Sequence, residues 1–314
     1  MKRLSDELAL TDRRSFLSLS GIIMSGLGSQ KPAAASQTDM PLGLVIEIDR
    51  DPEGAIAKVH ELGLPTCFLS TKVYDAALTT RVKQALDRFQ IQATAVEALG
   101  PGEMVWDFLR GPSTIGLVPR ATRRARIDSL KRASDFAETL GIHYLQTHCG
   151  FIPEDPNDPL YTETLQAVRE VAAHCKGNRV TFLLETGQET PTTLKRAILD
   201  VGSDNIGVGL DTGNLILYGK ARPLDALDLI GPHVRSVHAK DGLWPSDPTK
   251  LGKEVPIGEG LVDFPRVIAR LREFGYRGAI SIEREISGPR QIEDIRKEKI
   301  YLEKIIAADK TQRG

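Results

Sequence analysis

From Pro41 onward the chain repeats one pattern: a short apolar run, a turn, then a longer stretch with apolar residues at helical spacing. Short apolar runs between turn residues read as buried strands, and amphipathic stretches read as the helices that cover them. The strand-like runs are 42–48, 66–70, 92–98, 144–148, 180–185, 206–211, 234–238 and 279–283. The helical stretches are 52–62, 75–89, 120–140, 161–175, 191–201, 224–230, 264–274 and 289–307. Asp51 before Pro52, and Thr190 before Pro191, place a capping side chain ahead of a proline at the first helical position.

Eight strand–helix units in about 270 residues predict an α/β protein of one domain, a closed (β/α)₈ TIM barrel. The competing architecture, an open doubly wound sheet, usually carries a Gly-rich phosphate turn after its first strand. Here that turn reads Glu47-Ile48-Asp49-Arg50-Asp51-Pro52, without the glycines. Two connections, 100–119 and 240–260, are long. Long loops at the carboxyl ends of barrel strands commonly cover the active site.

The N-terminus departs from this pattern. Arg13-Arg14-Ser15-Phe16-Leu17 resembles a twin-arginine export signal. A modestly apolar run, 17–27, and an Ala-rich end, Ala33-Ala34-Ala35, follow in the expected order. The expected division is therefore a signal peptide over 1–35 and a barrel over 36–314, with the mature protein in the periplasm or secreted. The twin-arginine translocation machinery would be a partner during export. The apolar run is too short to span a bilayer, so no stable membrane insertion is expected.

Composition narrows the function classes. A hydrophobic content of 41% excludes wholesale disorder. Aromatic residues at 5% leave little for base-stacking platforms. The formal charge of −1 becomes −3 once 1–35 is removed, which argues against a phosphate-backbone partner, so no nucleic acid is expected. The three cysteines, Cys67, Cys149 and Cys175, form no CxxC pair and read as buried free thiols, one disulfide being the alternative. A homo-oligomer is left open.

Four strand-like runs end on ligand-type side chains: Glu185, Asp211, His238 and Glu283. The barrel brings all of them to the same mouth. Three carboxylates buried together would repel, and a divalent cation relieves that repulsion. Three carboxylates and one imidazole suit one Mn²⁺ foremost, or Mg²⁺, Co²⁺ or Zn²⁺. A lone acid at a strand end is more often a helix cap; four on successive strands are harder to explain by capping.

The strings LLETGQET, GLDTGNL, VHAKDG, PIGEGLVDFP and SIERE resemble the xylose isomerase-like TIM-barrel family of sugar isomerases and epimerases. The resemblance implies that Glu185, Asp211, His238 and Glu283 are metal ligands, with Glu185 and Glu283 also the paired catalytic acid/base residues. Abstraction of a proton α to a carbonyl needs a base at the carbon and a cation at the oxygen. Two positions depart from the epimerase pattern. Asn214 stands where several epimerases have a substrate-binding histidine, and Trp244 where they have an arginine. Asn214 can still bond a hydroxyl, and Trp244 can stack on a sugar face.

Further substrate-binding candidates are His148, Lys240, Glu47 and Glu97, each near a strand end. For His148 a structural hydrogen bond is an equal alternative. Asp241 reads either as support behind the metal histidine or as a loop cap, and Glu259 as a mouth residue or part of a turn. The leading expectation is a metal-dependent isomerase or epimerase acting on a keto-sugar through an enediolate. The alternative is a 3-keto-glycoside lyase working by β-elimination. A non-catalytic periplasmic sugar-binding protein and an abasic-site endonuclease rank lower.

Overall fold

The eight apolar runs form eight parallel strands: β1 (Leu42–Glu47), β2 (Thr66–Ser70), β3 (Gln92–Glu97), β4 (Tyr144–His148), β5 (Thr181–Glu185), β6 (Ile206–Asp211), β7 (Val234–Ala239) and β10 (Ile280–Ile282). They close into a barrel in the order β1-β10-β7-β6-β5-β4-β3-β2. The structure is a computed structural model and describes residues 39–313. The proposed signal segment 1–35 lies outside the described residues.

Between the strands run α1 (Pro52–Glu61), α2 (Ala76–Phe89), α4 (Arg120–Thr139), α5 (Pro159–Gly177), α6 (Pro191–Val201), α8 (Pro223–Ile230), α9 (Phe264–Glu273) and α10 (Pro289–Arg313). Asp51 accepts from the Gly54 amide at 3.0 Å and Thr190 from the Thr193 amide at 3.3 Å, so both caps form where the Pro-led starts place them. Two short helices were not expected. α3 (Gly111–Thr114) interrupts the 100–119 connection, and α7 (Thr212–Leu217) follows β6 directly. The 240–260 connection is also not a plain loop: β8 (Asp241–Leu243) and β9 (Lys253–Val255) pair antiparallel within it.

The core lies between strands and helices and, inside the barrel, between inward-facing side chains. Every residue of β6 is buried. The interior is tight enough to require glycine in places: a Cβ on Gly209 would fall 2.0 Å from Gln146 Oε1. Strand register then fixes which chemical groups meet at the mouth. His148 pairs with Glu185 across β4 and β5, and Asp211 with His238 across β6 and β7. Cys67, Cys149 and Cys175 are buried and free. No helix among the described residues is long and apolar enough to cross a membrane.

Candidate metal centre

Because β5, β6, β7 and β10 are neighbours in the barrel, Glu185, Asp211, His238 and Glu283 converge at its mouth. Glu283 sits one residue past the last strand position but stays in line, its amide bonded to the Ala239 carbonyl at 3.0 Å. One ligand atom from each of the four lies within 4.8 Å of all the others. The common point is His238 Nδ1, which is 3.3 Å from Glu185 Oε1, 3.4 Å from Glu283 Oε2 and 3.9 Å from Asp211 Oδ2. On its other side, the His238 ring packs edge-on against Phe68 of β2 at 4.4 Å.

These groups are close without satisfying one another. Glu185 Oε2, Asp211 Oδ2 and both nitrogens of His238 are buried with no hydrogen-bond partner among the described residues. Unpartnered buried polar atoms are costly, and a set of them facing one point fits a cation that ligates them. The charges agree. Burial pushes the Asp211 carboxyl well above the usual range, and the nearby Lys240 charge only partly opposes it. At Glu185 burial is outweighed by the charges of His148 and His238, which hold the carboxyl at about 2. At Glu283 burial is outweighed by Lys240 and His238, which hold it well below its ordinary value. Burial lowers His238, but the carboxylates of Glu283 and Glu185 more than offset it and raise the imidazole. Three oxygens and one nitrogen form a hard-to-borderline donor set.

Around this centre stand the remaining candidates. His148 Nε2 lies 3.3 Å from Glu185 Oε2 and 4.0 Å from Glu97 Oε1, and Glu97, His148 and Glu185 form a second tight group. Burial, with the Glu185 and Glu283 charges, pushes the Glu97 carboxyl up. Lys240 is buried, its Nζ 3.4 Å from Glu283 and 3.0 Å from Glu285. Asn214 is buried, and its backbone amide bonds Asp211 Oδ1 at 2.7 Å. Trp244 is exposed just past β8. Glu47 is exposed at the end of β1 and belongs to neither acidic group.

Asp241 is a loop cap. Its carboxylate accepts from the amides of Gly242, Gly258, Gly260 and Val262 at 2.8–3.0 Å, folding 240–262 over itself. Glu259 is exposed in that turn. Two residues at the mouth were not singled out beforehand. Gln188 lies within 3.1 Å of His148 Nδ1, which leaves Nε2 facing Glu185. Trp106 packs its ring 5.0 Å from the His148 ring. The one prior hint of Trp106 was its place in the long 100–119 connection.

Comparison with known proteins agrees with the barrel fold. The family profile described as "Xylose isomerase-like TIM barrel" matches residues 56–305. A xylose isomerase domain protein from Planctomyces limnophilus superposes with a TM-score of 0.80 at 31% identity, covering 85% of this chain and 97% of that one. A xylose isomerase-like TIM barrel protein from Mycobacterium smegmatis, solved in complex with magnesium, shares the fold at a TM-score of 0.64 and 18% identity, over 87% of this chain and 97% of that one. Sugar epimerases are among the relatives. The L-ribulose-5-phosphate 3-epimerase of Shigella boydii is 28% identical over 187 residues, 54% of this chain and 59% of that enzyme. The chain thus spans little more than half the length of that curated relative. With the profile covering most of a closed eight-stranded barrel, the chain belongs to the xylose isomerase-like TIM-barrel family.

Proposed function

We propose that the protein is a divalent-metal-dependent sugar isomerase or epimerase that moves a proton α to the carbonyl of a keto-sugar. The observation that carries this reading is the convergence of Glu185 and Glu283 on His238 Nδ1, at 3.3 and 3.4 Å, with Asp211 completing the set. Glu185, Asp211, His238 and Glu283 are the residues that would hold the ion, Mn²⁺ foremost. When bound, a divalent cation polarises a carbonyl and stabilises negative charge on its oxygen.

The chain's own groups supply the proton chemistry. Glu185 closes β5 and Glu283 follows β10, with β6 and β7 between them, so the two carboxylates enter the mouth from different strands. Both are held ionised at neutral pH and can accept a proton. Removal by one carboxylate and return by the other, on the opposite face, inverts the carbon. Return to the neighbouring carbon interconverts ketose and aldose. Besides the His238 they share, Glu185 has His148 against it and Glu283 has Lys240, neighbours that fix the direction of each base.

The test is proton NMR of metal-loaded protein with a panel of keto-sugars in D₂O. Deuterium entering at the α-carbon, together with an epimer or isomer, is expected. Release of an aglycone from a 3-keto-glycoside would identify elimination instead. No exchange with any keto-sugar would overturn the reading. The reading includes export: the Arg13-Arg14 segment supports a mature protein that begins near Ser36 and works outside the cytoplasm.

A further inference from the structure

We propose that the sugar this site takes carries an anionic group, a phosphate or a carboxylate, seated beside the metal centre between Lys72 and Arg132; the inference rests on the sugar-enzyme reading above. Lys72, Arg132, Ser129, Gly102 and Trp106 are among the residues that line one cavity of 370 Å³. Trp106 is the shared wall. It faces this cavity and also packs on His148, whose Nε2 touches the Glu185 carboxylate at 3.3 Å.

The barrel order places the cavity where the far end of a substrate would reach. The metal-facing groups come from β5, β6, β7 and the end of β10, whereas Lys72 follows β2, directly across the barrel from β6. Going round from β5, the mouth runs through His148 on β4 and Glu97 on β3 to Lys72. On this proposal, a sugar whose carbonyl end sits at the carboxylates points its other end toward β3, β2 and this cavity.

The charge in the cavity is only partly offset: Asp128, one turn back on α4, is in electrostatic range of Arg132 but is itself paired with Arg124. Among the described residues neither Lys72 nor Arg132 has a carboxylate at ion-pair distance, whereas Arg123, Arg124 and Lys131 on the same helix as Arg132 are paired. Asp49 approaches the Lys72 backbone, not its ammonium: its Oδ1 accepts from the Thr71 hydroxyl at 2.6 Å and the Lys72 amide at 2.9 Å. Two unpaired cations on one cavity wall raise the local affinity for an anion.

The loop that supplies Gly102 and Trp106 to the cavity is held in place. Arg126 is buried and donates to the carbonyls of Pro101, Glu103 and Gly116 at 2.7–3.2 Å, pinning the loop that carries Gly102 and Trp106. Gly100 permits this: its φ is +75°, and a Cβ there would meet Arg126 Cγ at 2.8 Å. A site held open by a buried arginine costs little ordering when a ligand enters. Solvated surface cations would explain the charges alone, but not their convergence on a cavity that shares an aromatic wall with the catalytic mouth.

The experiment is calorimetric titration of metal-loaded protein with fructose 6-phosphate, galacturonate and fructose, repeated on Lys72→Gln/Arg132→Gln. One anionic sugar is expected to bind at least about tenfold more tightly than fructose, and the double variant to erase that margin while fructose affinity holds. A margin for fructose 6-phosphate assigns phosphate, and one for galacturonate assigns carboxylate. Equal affinities, or a margin that survives the double variant, would overturn the proposal; the latter would place the anion on the metal itself. Both side chains are exposed, so folding should hold. Should the double variant misfold, each single variant is expected to lose part of the margin, and retention of the full margin by both would refute the idea. Because the readout is binding, its failure is distinct from an absence of proton exchange.

Discussion

Asp211 divides its carboxylate between two tasks: Oδ1 accepts the Asn214 amide at 2.7 Å, and Oδ2 is left without a hydrogen-bond partner toward His238. The first bond caps α7, and the second oxygen faces the proposed metal position. The cap orients the ligand, since a bonded Oδ1 fixes where Oδ2 points. Asn214 thus contributes through its backbone, whatever its side chain does for a sugar.

The two tasks can be separated. Asp211→Asn keeps a capping oxygen, and loss of such a cap is typically worth about 1 kcal/mol. Its melting temperature in the metal-free state should therefore stay close to that of the parent or rise, because an amide cannot take on the negative charge that burial disfavours there. Its metal affinity should fall by about 100-fold or more, since an amide is a poorer ligand than a carboxylate. Asp211→Ala should lose both. Metal titration and calorimetry on the two variants check this, and an Asn variant with full metal affinity would remove Asp211 from the ligand set.

The barrel and the meeting of four ligand-type side chains at its mouth were legible in the sequence because both depend on local periodicity. Glu185 and Asp211 each end a short apolar run, and in a parallel barrel the end of a run is a position at the mouth. The same logic puts His148, at the end of the fourth run, at that mouth; the register adds its place beside Glu185. What escaped was whatever the long connections do after the barrel closes. Trp106 meets His148 from 42 residues away, and nothing local to either marks the contact. α7 was missed because TGNLIL reads as the continuation of an apolar run, and only the Asp211 cap turns it into a helix. The β8–β9 hairpin follows from four amides gathered by Asp241, a pattern made by three-dimensional folding.

Glu189 gives a pH dependence of stability. It is buried, both its oxygens lack partners among the described residues, and burial pushes its carboxyl up to about 8, with Lys220 opposing and the Glu154 and Glu185 charges adding. The native state thus holds a proton that the unfolded chain releases near pH 4.5, the ordinary value. Its contribution is complete below about pH 4.5 and is lost progressively as the pH rises through about 8. Glu189→Gln, which stays neutral, should raise the melting temperature at pH 8 and change it much less at pH 5. The same increment at both pH values in a calorimetric scan would mean that Glu189 is ionised throughout.

The proposed export rests on Arg13-Arg14, ahead of a short apolar run and Ala33-Ala34-Ala35. The twin-arginine resemblance predicts that Arg13→Lys/Arg14→Lys leaves full-length precursor in the cytoplasm, while the unaltered chain is recovered outside it with an N-terminus near Ser36. Fractionation with N-terminal sequencing reads both. Processing and export of the double variant at the rate of the unaltered chain would count against the assignment.

The sharpest test of the chemistry is the pair Glu185→Gln and Glu283→Gln. Each change replaces one oxygen with an amide nitrogen and preserves shape, so the barrel should fold. A general base typically contributes about 10²–10⁴-fold in rate. If proton transfer uses both carboxylates, each variant should lose turnover by that order while retaining measurable sugar binding. The neighbours predict an asymmetry in what remains. Glu283→Gln leaves Lys240 beside an amide, with Asp211 and Glu285 still at 3.9 and 3.0 Å, so the lysine stays charged and paired. Glu185→Gln removes the carboxylate nearest to both His148 and His238, leaving Glu97 at 4.0 Å from the first and Glu283 at 3.4 Å from the second, so the metal site loosens more. Metal content should therefore drop further in Glu185→Gln than in Glu283→Gln. Elimination, which can proceed with one base, would instead leave one variant close to full rate with its metal bound. Solvent deuterium exchange measured beside metal content separates these outcomes, and full exchange rates in both variants would show that neither glutamate carries the proton.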